Sequence, residues 1–431
     1  MTTNPFTPED IESLHAQARQ MMQRGDAKGA RHLCKRIVEH QPDHAGALAA
    51  LGEMALREGD SAEALRWLQA AAGSPLAGVE PHISLALACR QAGDAVREEQ
   101  AIKQALARDP THLLALMLKA DYLERAGDRH EAALAYGAVI DVAPPVDRLH
   151  PELRAGVLKA FQYQDQYNRE FGAFIDARLD DLLRDLPASQ RDRFAESVDI
   201  MIGRKKRYES RSMVYHYPGL LPVPFLPRER FPWLDAFEQA TDAIRDECAA
   251  VLARDQGLEP YLTYPEGAPL NQFAELNNSK RWSAYHLIKG GKVLSDHAAN
   301  CATTLELLKT APQPDQPGRT PAAMFSLLHP RTRIPAHVGV TNSRLVVHLP
   351  LIIPGRCGFR VGNATREWQL GKAWVFDDTI EHEAWNLSDQ LRAILIFDIW
   401  HPDIPPEERS LITALMAGIN AFKGEDSSFA L

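Results

Sequence analysis

The spacing of apolar positions changes partway along the chain. Up to about residue 203 they recur at helical intervals, as in FGAFIDARLDDLLRDL (171–186). From Tyr215 to Trp233 the prolines at 218, 222, 224, 227 and 232 exclude a continuous helix and predict an extended connection. A helix is expected at 234–254. After Asn277 the pattern shortens to strand-like runs: WSAYHLIKGG, AAMFSLLHP, RLVVHLPLII, CGFRV, AWVFDD and RAILIFDIW. They are rich in β-branched and aromatic residues and punctuated by Gly, Pro, Asn and Asp. No long helical pattern separates the later runs, which favours an antiparallel sandwich or jelly-roll barrel over a parallel sheet. The expected fold class is α+β multidomain, all-α first and antiparallel β second.

The helical part repeats itself. Gly25-Asp26, Gly59-Asp60, Gly93-Asp94 and Gly127-Asp128 recur every 34 residues. Seven positions before each glycine stands a small residue, Ala18, Gly52, Ala86 or Ala120. Five after it stands Ala30, Ala64 or Ala132, with Glu98 as the exception. Pro42, Pro110 and Pro144 close three units, while the second ends irregularly near Ser74-Pro75. Glycine suits the positive-φ residue that ends one helix, aspartate caps the next, and small residues let paired helices approach. Over roughly 8–145 the pattern resembles the tetratricopeptide repeat, with most of its aromatic positions replaced by Leu and Ala. That resemblance implies a solenoid whose concave face recruits a peptide or protein, substrate or partner. A structural spacer or dimerisation arm is the competing reading.

Bulk properties narrow the function classes. A net charge of -9 argues against nucleic-acid binding. The one dense basic run, Arg204-Lys205-Lys206-Arg207, reads as a solvated helix end or linker. No apolar run is long enough to span a bilayer, and the first residues are polar, so neither membrane insertion nor a signal segment is expected. The five cysteines are scattered, without CxxC spacing, which predicts reduced thiols and a cytoplasmic setting.

Candidate chemistry lies among the strand-like runs. His337 in RTRIPAHVGVTNSR and His382 in VFDDTIEHEAWN each follow a predicted strand. Non-haem Fe(II) oxygenases hold metal with two histidines and one carboxylate, the carboxylate normally two residues after the first histidine. Here that residue is Gly339. Taken singly, His382 between Glu381 and Glu383 fits a surface residue, and His337 near Pro335 fits a turn. Strand alternation puts Arg392, Ile394 and Ile396 on one face of RAILIFDIW, and Arg344, Val346 and His348 on one face of RLVVHLPL. A buried Arg392 needs an anionic partner. Either a dicarboxylate end group or an internal bridge to Asp398 or Asp389 would serve.

The segments SLLHPRTRIPAHVG, TNSRLVVHLPLIIP, WQLGKAWVFDDTIEHEAWN and LRAILIFDIWHP together resemble the aspartyl/asparaginyl β-hydroxylase family. YHYPGL, FPWL and WSAYHLIKGG extend the likeness over roughly 210–405. The resemblance implies a double-stranded β-helix oxygenase using Fe(II), 2-oxoglutarate and O2, with iron held by two histidines and no carboxylate. By motif position it implies His337 and His382 as catalytic metal ligands. Arg392 and Ser326 would then hold the distal carboxylate of 2-oxoglutarate, His348 would lie near its metal-binding end, and Arg344 would face the substrate. Gly339 leaves room for water, so an aspartate there is expected to be tolerated. Val346 stands where the animal enzymes carry a second arginine. The implied reaction is therefore hydroxylation of the β-carbon of Asp or Asn in a polypeptide, or the same chemistry on a free amino acid, small metabolite or acyl chain. A repeat scaffold with a degenerate oxygenase domain is the non-enzymatic alternative. The implied division is 1–145 repeats, 146–209 helical cap and linker, 210–405 hydroxylase domain and 406–431 tail.

Overall fold

The computed structural model describes residues 7–75, 77–254 and 257–423. It divides into two compact units, one up to Arg204 and one from Lys205.

The first unit is built from helix hairpins: α1 (Pro8–Gln23) with α2 (Ala27–His40), α3 (Ala45–Arg57) with α4 (Ser61–Ala72), α5 (Glu80–Gln91) with α6 (Ala95–Arg108), and α7 (Leu113–Ala126) with α8 (Arg129–Val142). The repeated Gly-Asp pairs make the turns. Gly25, Gly59, Gly93 and Gly127 have φ of 84°, 82°, 73° and 80°, where a β-carbon is strained. Asp26, Asp60, Asp94 and Asp128 accept from the backbone N–H three residues on, at 2.9–3.3 Å, each cap being worth about 1 kcal/mol. A β-carbon on Gly52 would overlap the Leu68 side chain, which is why that position is small. Glu98, the exception in the alanine column, is 1% exposed and ion-paired with Arg125. Beyond the hairpins, α9 (Pro151–Arg184) packs Val157 and Ala160 against Leu116, Tyr136 and Val139, and α10 (Ala188–Met201) follows.

The second unit starts with the proline-rich connection, which runs extended: Leu226 N–H donates to the Val375 carbonyl at 3.0 Å. Then come α11 (Leu234–Gln239) and α12 (Thr241–Arg254), where a single helix was expected; the chain breaks at Ala240. The remaining elements in order are β1 (Glu259–Pro260), β2 (Trp282–Lys289), β3 (Lys292–Val293), α13 (Ser295–Ala298), α14 (Ala302–Leu308), β4 (Ala323–Leu328), β5 (Thr332–His337), β6 (Arg344–Ile352), β7 (Cys357–Val361), β8 (Ala364–Arg366), β9 (Trp374–Phe376), β10 (His382–Asn386), β11 (Arg392–Trp400) and α15 (Pro406–Lys423). All strand pairings are antiparallel. One sheet has the order β1-β2-β4-β11-β6-β9 with β3 beside β2, and the other β5-β10-β7-β8. This is a jelly-roll sandwich, so the chain is α+β: a helical repeat unit followed by an antiparallel β domain.

Strand parity builds two cores. Phe325, Leu327, Leu345, Val347, Leu349, Leu395 and Phe397 face α11, α12 and α14, where Phe237, Ile244, Cys248 and Leu308 meet them. The opposite residues of the same strands, with Trp282, Val346, Trp374, Phe376 and Ile394, meet Ile334, Phe359, Val361 and Ala384 of the smaller sheet. Period-two alternation therefore puts Ser326, Arg344, His348 and Arg392 on the face turned towards the second sheet. All five cysteines are free and buried. Among the described residues no helix is long and apolar enough to cross a membrane.

Candidate active site

β5 and β10 of the smaller sheet place His337 directly opposite His382 in the antiparallel register. A register shift follows His382, and such irregularities re-aim side chains. The imidazole centroids are 4.1 Å apart. Each ring is held the same way: Nδ1 of His337 donates to the Pro335 carbonyl at 2.7 Å, and Nδ1 of His382 to the Ile380 carbonyl at 3.0 Å. With the proton on Nδ1, each Nε2 keeps its lone pair. That tautomer is what a metal ion requires, and metal-binding histidines are commonly fixed through such a bond. Burial pulls both rings below the ordinary histidine range, His382 furthest, so both are neutral near pH 7. The acidic neighbours of His382 point elsewhere, Glu383 pairing with Arg333 and Arg360, and Glu381 with Arg360.

Beside this pair stands a residue the sequence reading passed over. A β-carbon on Gly339 would overlap the Asp378 carboxylate. The space two residues after His337 thus holds a carboxylate from another segment, and the expectation that an aspartate at 339 is tolerated is overturned. Asp378 is anchored by Gly339 N–H on its backbone carbonyl (2.6 Å) and by Arg344 Nη2 on Oδ2 (3.0 Å). Its Oδ1 is buried without a hydrogen-bond partner among the described residues. Burial raises its pKa, while Arg344 and His337 oppose that rise. The signal was the Asp377-Asp378 doublet inside the VFDDTIEHE motif, at the end of an otherwise apolar strand.

A run of aromatic contacts leads from the histidine pair to Arg392. His382 lies 5.5 Å from Phe376, Phe376 lies 4.8 Å from His348, and His348 lies 6.2 Å from Trp368. The Arg392 guanidinium sits 5.0 Å over the Trp368 ring. Arg392 is 1% exposed, yet among the described residues it meets no carboxylate. Asp389 pairs with Arg331, and Asp398 accepts from Ala322 N–H, so neither expected internal bridge forms. Its one hydrogen bond is Nη1 to the Ser326 carbonyl at 3.3 Å. Burial pulls its pKa down to about 10. The Ser326 hydroxyl accepts from Trp282 Nε1 at 3.4 Å. Arg392 Nε, His348 Nδ1, Trp368 Nε1 and Trp374 Nε1 are buried without hydrogen-bond partners. Three such atoms near a guanidinium whose own Nε is unpaired mark a place made for a polar, anionic ligand. The two tryptophans were also missed. Trp374 follows from strand parity, whereas Trp368 lies in a loop and carries no periodic signal.

Among the described residues, the group that brings three ligand atoms within 4.8 Å of one another is a different one, Glu12, His15 and His44 of the repeat unit. Its chemistry differs, because His44 Nδ1 accepts from Ala47 N–H at 3.1 Å and caps α3. The proton of the neutral ring is then on Nε2, the atom nearest Glu12, and not available to a metal.

Residues 238–402 match the family Aspartyl/Asparaginyl beta-hydroxylase, and residues 21–74 match Tetratricopeptide repeat. The chain is similar to Aspartyl/asparaginyl beta-hydroxylase of Homo sapiens, 32% identical over 206 residues, which are 47% of this chain and 26% of that one. It is also similar to the Ornithine lipid ester-linked acyl 2-hydroxylase of Rhizobium tropici, 32% identical over 196 residues, 45% of this chain and 66% of that one. It therefore spans about a quarter of the human relative's length. A crystal structure of MamA protein aligns over 50% of this chain and 100% of its own, at 14% identity and a TM-score of 0.31. The chain thus carries a domain of the aspartyl/asparaginyl β-hydroxylase family behind N-terminal tetratricopeptide repeats.

Proposed function

We propose that the β unit is an Fe(II)- and 2-oxoglutarate-dependent hydroxylase acting on the β-carbon of Asp or Asn in a polypeptide recruited by the repeats. The observation that carries this reading is the pairing of two features inside one sandwich. Two neutral histidines with ring centroids 4.1 Å apart keep their Nε2 lone pairs, and a buried arginine on the facing sheet has no ion-pair partner among the described residues. The donor set suits iron, for which imidazole is a good ligand. The arginine suits the distal carboxylate of 2-oxoglutarate, since an unpaired buried charge costs several kcal/mol.

In this reading His337 and His382 hold the iron, and Asp378 supplies negative charge beside them. Arg392, Trp368 and Trp374 donate to the cosubstrate's far end, with Ser326 at its margin. His348 sits between the two ends, and Arg344 turns towards substrate. The chemistry that iron, 2-oxoglutarate and O2 supply when bound is hydroxylation of an unactivated C–H bond, with succinate and carbon dioxide as co-products. The chain's own contribution is placement and dryness. Phe359, Phe376, Trp368 and Trp374 pack between the two ends and limit the access of water, and the Nδ1 bonds fix both ligand rings before metal arrives.

A second reading keeps the chemistry and changes the substrate to an acyl chain. Val346, 7% exposed and packed among Phe225, Trp374 and Phe376, leaves an apolar wall where a second arginine would favour a carboxylate. The lipid acyl hydroxylase among the relatives points the same way. The deciding experiment incubates the protein with Fe(II), 2-oxoglutarate and O2. Succinate is measured, and candidate peptides, amino acids and acyl compounds are analysed by mass spectrometry for a gain of one oxygen. A protein that binds iron and 2-oxoglutarate yet yields no succinate with any of them would refute the enzymatic reading.

A further inference from the structure

At the edge of the larger sheet, the residue that follows β1 lies flat against a wall of the site. Tyr261 N–H donates to the Trp282 carbonyl at 2.9 Å. Its ring stacks on the Trp282 indole, with centroids 3.9 Å apart and planes 10° from parallel. The segment carrying Tyr261 is tied down independently of that stack. Leu262 bridges to Asn277, the Leu262 carbonyl accepts from Asn278 N–H at 2.8 Å, and Asn277 Oδ1 accepts from Tyr264 N–H at 2.7 Å. The Tyr261 ring is therefore a held plate. An edge contact fixes the position of a neighbouring indole, whereas a parallel stack also fixes its plane.

The plane of Trp282 matters because of what its N–H meets. Trp282 pairs with Leu328 of β4, and Leu328 with Arg392 of β11, so the three share one row and one face of the sheet. From that row Trp282 Nε1 donates to Ser326 Oγ at 3.4 Å. An indole N–H only donates, so the serine oxygen acts as acceptor and its own proton is turned away from Trp282. That proton meets no acceptor among the described residues. Arg392 stands beside it, donating Nη1 to the Ser326 carbonyl at 3.3 Å. An indole turned out of its plane would release the serine oxygen, and the hydroxyl would be free to rotate.

We propose that Tyr261 is a positioning residue for the anion site: its ring holds the Trp282 indole in the plane from which Nε1 orients the Ser326 hydroxyl, so that Ser326 and Arg392 donate together to a bound anion. Tyr261 acts through Trp282, and its phenol hydroxyl takes no part. The histidine pair does not depend on it. Trp282 stands 6.3 Å from His337, but Phe273 meets the same imidazole edge-on at 5.6 Å, and the Pro335 carbonyl fixes its Nδ1. That the anion is 2-oxoglutarate rests on the proposed function; that the ring orients the indole does not.

The test uses the full-length protein, Mn(II) in place of Fe(II), and calorimetric titration with 2-oxoglutarate. Tyr261→Leu and Tyr261→Met remove the flat ring and should each weaken 2-oxoglutarate about fivefold, the size of one aromatic stack, with Mn(II) affinity kept. Tyr261→Phe keeps the ring and should bind as wild type does. Trp282→Phe removes the N–H, and in that background Tyr261→Leu should weaken 2-oxoglutarate little further. Wild-type affinity in a folded Tyr261→Leu or Tyr261→Met variant, equal loss in Tyr261→Phe, or fully additive losses in the double variant would overturn the positioning role. Failure of both ring-removing variants to fold would overturn it too, making the ring a residue of the fold. Near-ultraviolet circular dichroism needs no ligand. Tyr261→Leu and Trp282→Phe should lose the same band of an immobilised indole, and Tyr261→Phe should keep it; a band untouched by Tyr261→Leu removes the role. Wild type that fails to bind 2-oxoglutarate while the dichroism changes as expected would remove the function and keep the role of Tyr261.

Discussion

Two histidine pairs, one in each unit, look alike by distance and differ in what they can do. His15 and His44 have ring centroids 4.8 Å apart, with Glu12 close by. His337 and His382 are 4.1 Å apart, with Asp378 close by. The deciding feature is the partner of Nδ1. In the repeat unit His44 Nδ1 accepts from a helix N-terminus, as His112 does for α7 at 3.4 Å. In the β unit both Nδ1 atoms donate to carbonyls. The first arrangement completes a helix and places the proton on Nε2. The second leaves both Nε2 lone pairs free, on a buried His382 and a half-buried His337. A cluster of ligand-type residues is therefore not yet a metal site, and hydrogen-bond direction separates the two cases.

The largest effect expected from breaking this contrast is on metal binding. His337→Ala and His382→Ala should each abolish Fe(II)- or Mn(II)-dependent binding of 2-oxoglutarate and succinate formation, since two protein ligands leave no redundancy. His15→Ala should leave both at wild-type values. Metal titration of the variants checks this, and a wild-type titration for His337→Ala would remove the assignment.

Next in size is the cosubstrate. Arg392→Ala should weaken 2-oxoglutarate by about 2–5 kcal/mol, the usual loss for truncating one partner of a buried charge pair. Unchanged affinity, measured by calorimetry with Mn(II), would make Arg392 a residue of the fold alone.

Gly339→Asp sharpens the comparison at the second carboxylate. It forces two carboxylates into one space and should destabilise the protein by about 1–3 kcal/mol, as overpacking does. Adding Asp378→Gly should recover part of the melting temperature. A Gly339→Asp protein as stable as wild type would show that Asp378 does not hold that space.

Acid should act on the buried histidines of the β unit as well. Burial lowers the pKa of His337, His382 and His286, the last to about 4. Below about pH 6.5 the unfolded chain binds protons that these folded imidazoles refuse. Stability from these groups is complete above that pH and declines as pH falls towards 4. These imidazoles should therefore cost the metal-free β unit stability over this window, offset by Asp377 and Asp398, whose carboxyls burial pushes up to about 6, and bound metal should deepen the histidine dependence because protons compete for Nε2. Denaturant titrations between pH 7 and 4.5 would test the sign. Smallest of all, His44→Ala removes a helix cap and should cost about 1 kcal/mol without touching metal binding.

The repeat unit was legible in the sequence because its physics is local. A glycine at positive φ and an aspartate cap act within four residues, so a fixed period exposes every turn from Gly25 to Gly127. Even the exception, Glu98, announced itself as a break in the alanine column, although its partner Arg125 lies on another helix. Alternation in the β unit was legible too, and it assigned Ser326, Arg344, His348 and Arg392 to one face of their strands. The break at Ala240, which divides one expected helix into two, left no such signal.

By itself, then, the sequence determined the helical repeat, the switch to period-two strands and the candidate residues that a family resemblance could point to. Only the tertiary structure decided which atoms meet. The register of β5 on β10 sets His337 against His382, and the loop before β10 brings Asp378 onto Gly339. That Arg392 pairs with no carboxylate among the described residues depends on Asp389 and Asp398 finding other partners. Each of these follows from strand pairing and loop closure between distant segments. Hydrogen-bond direction and charge compensation are set by those neighbours, which no local pattern of residues encodes.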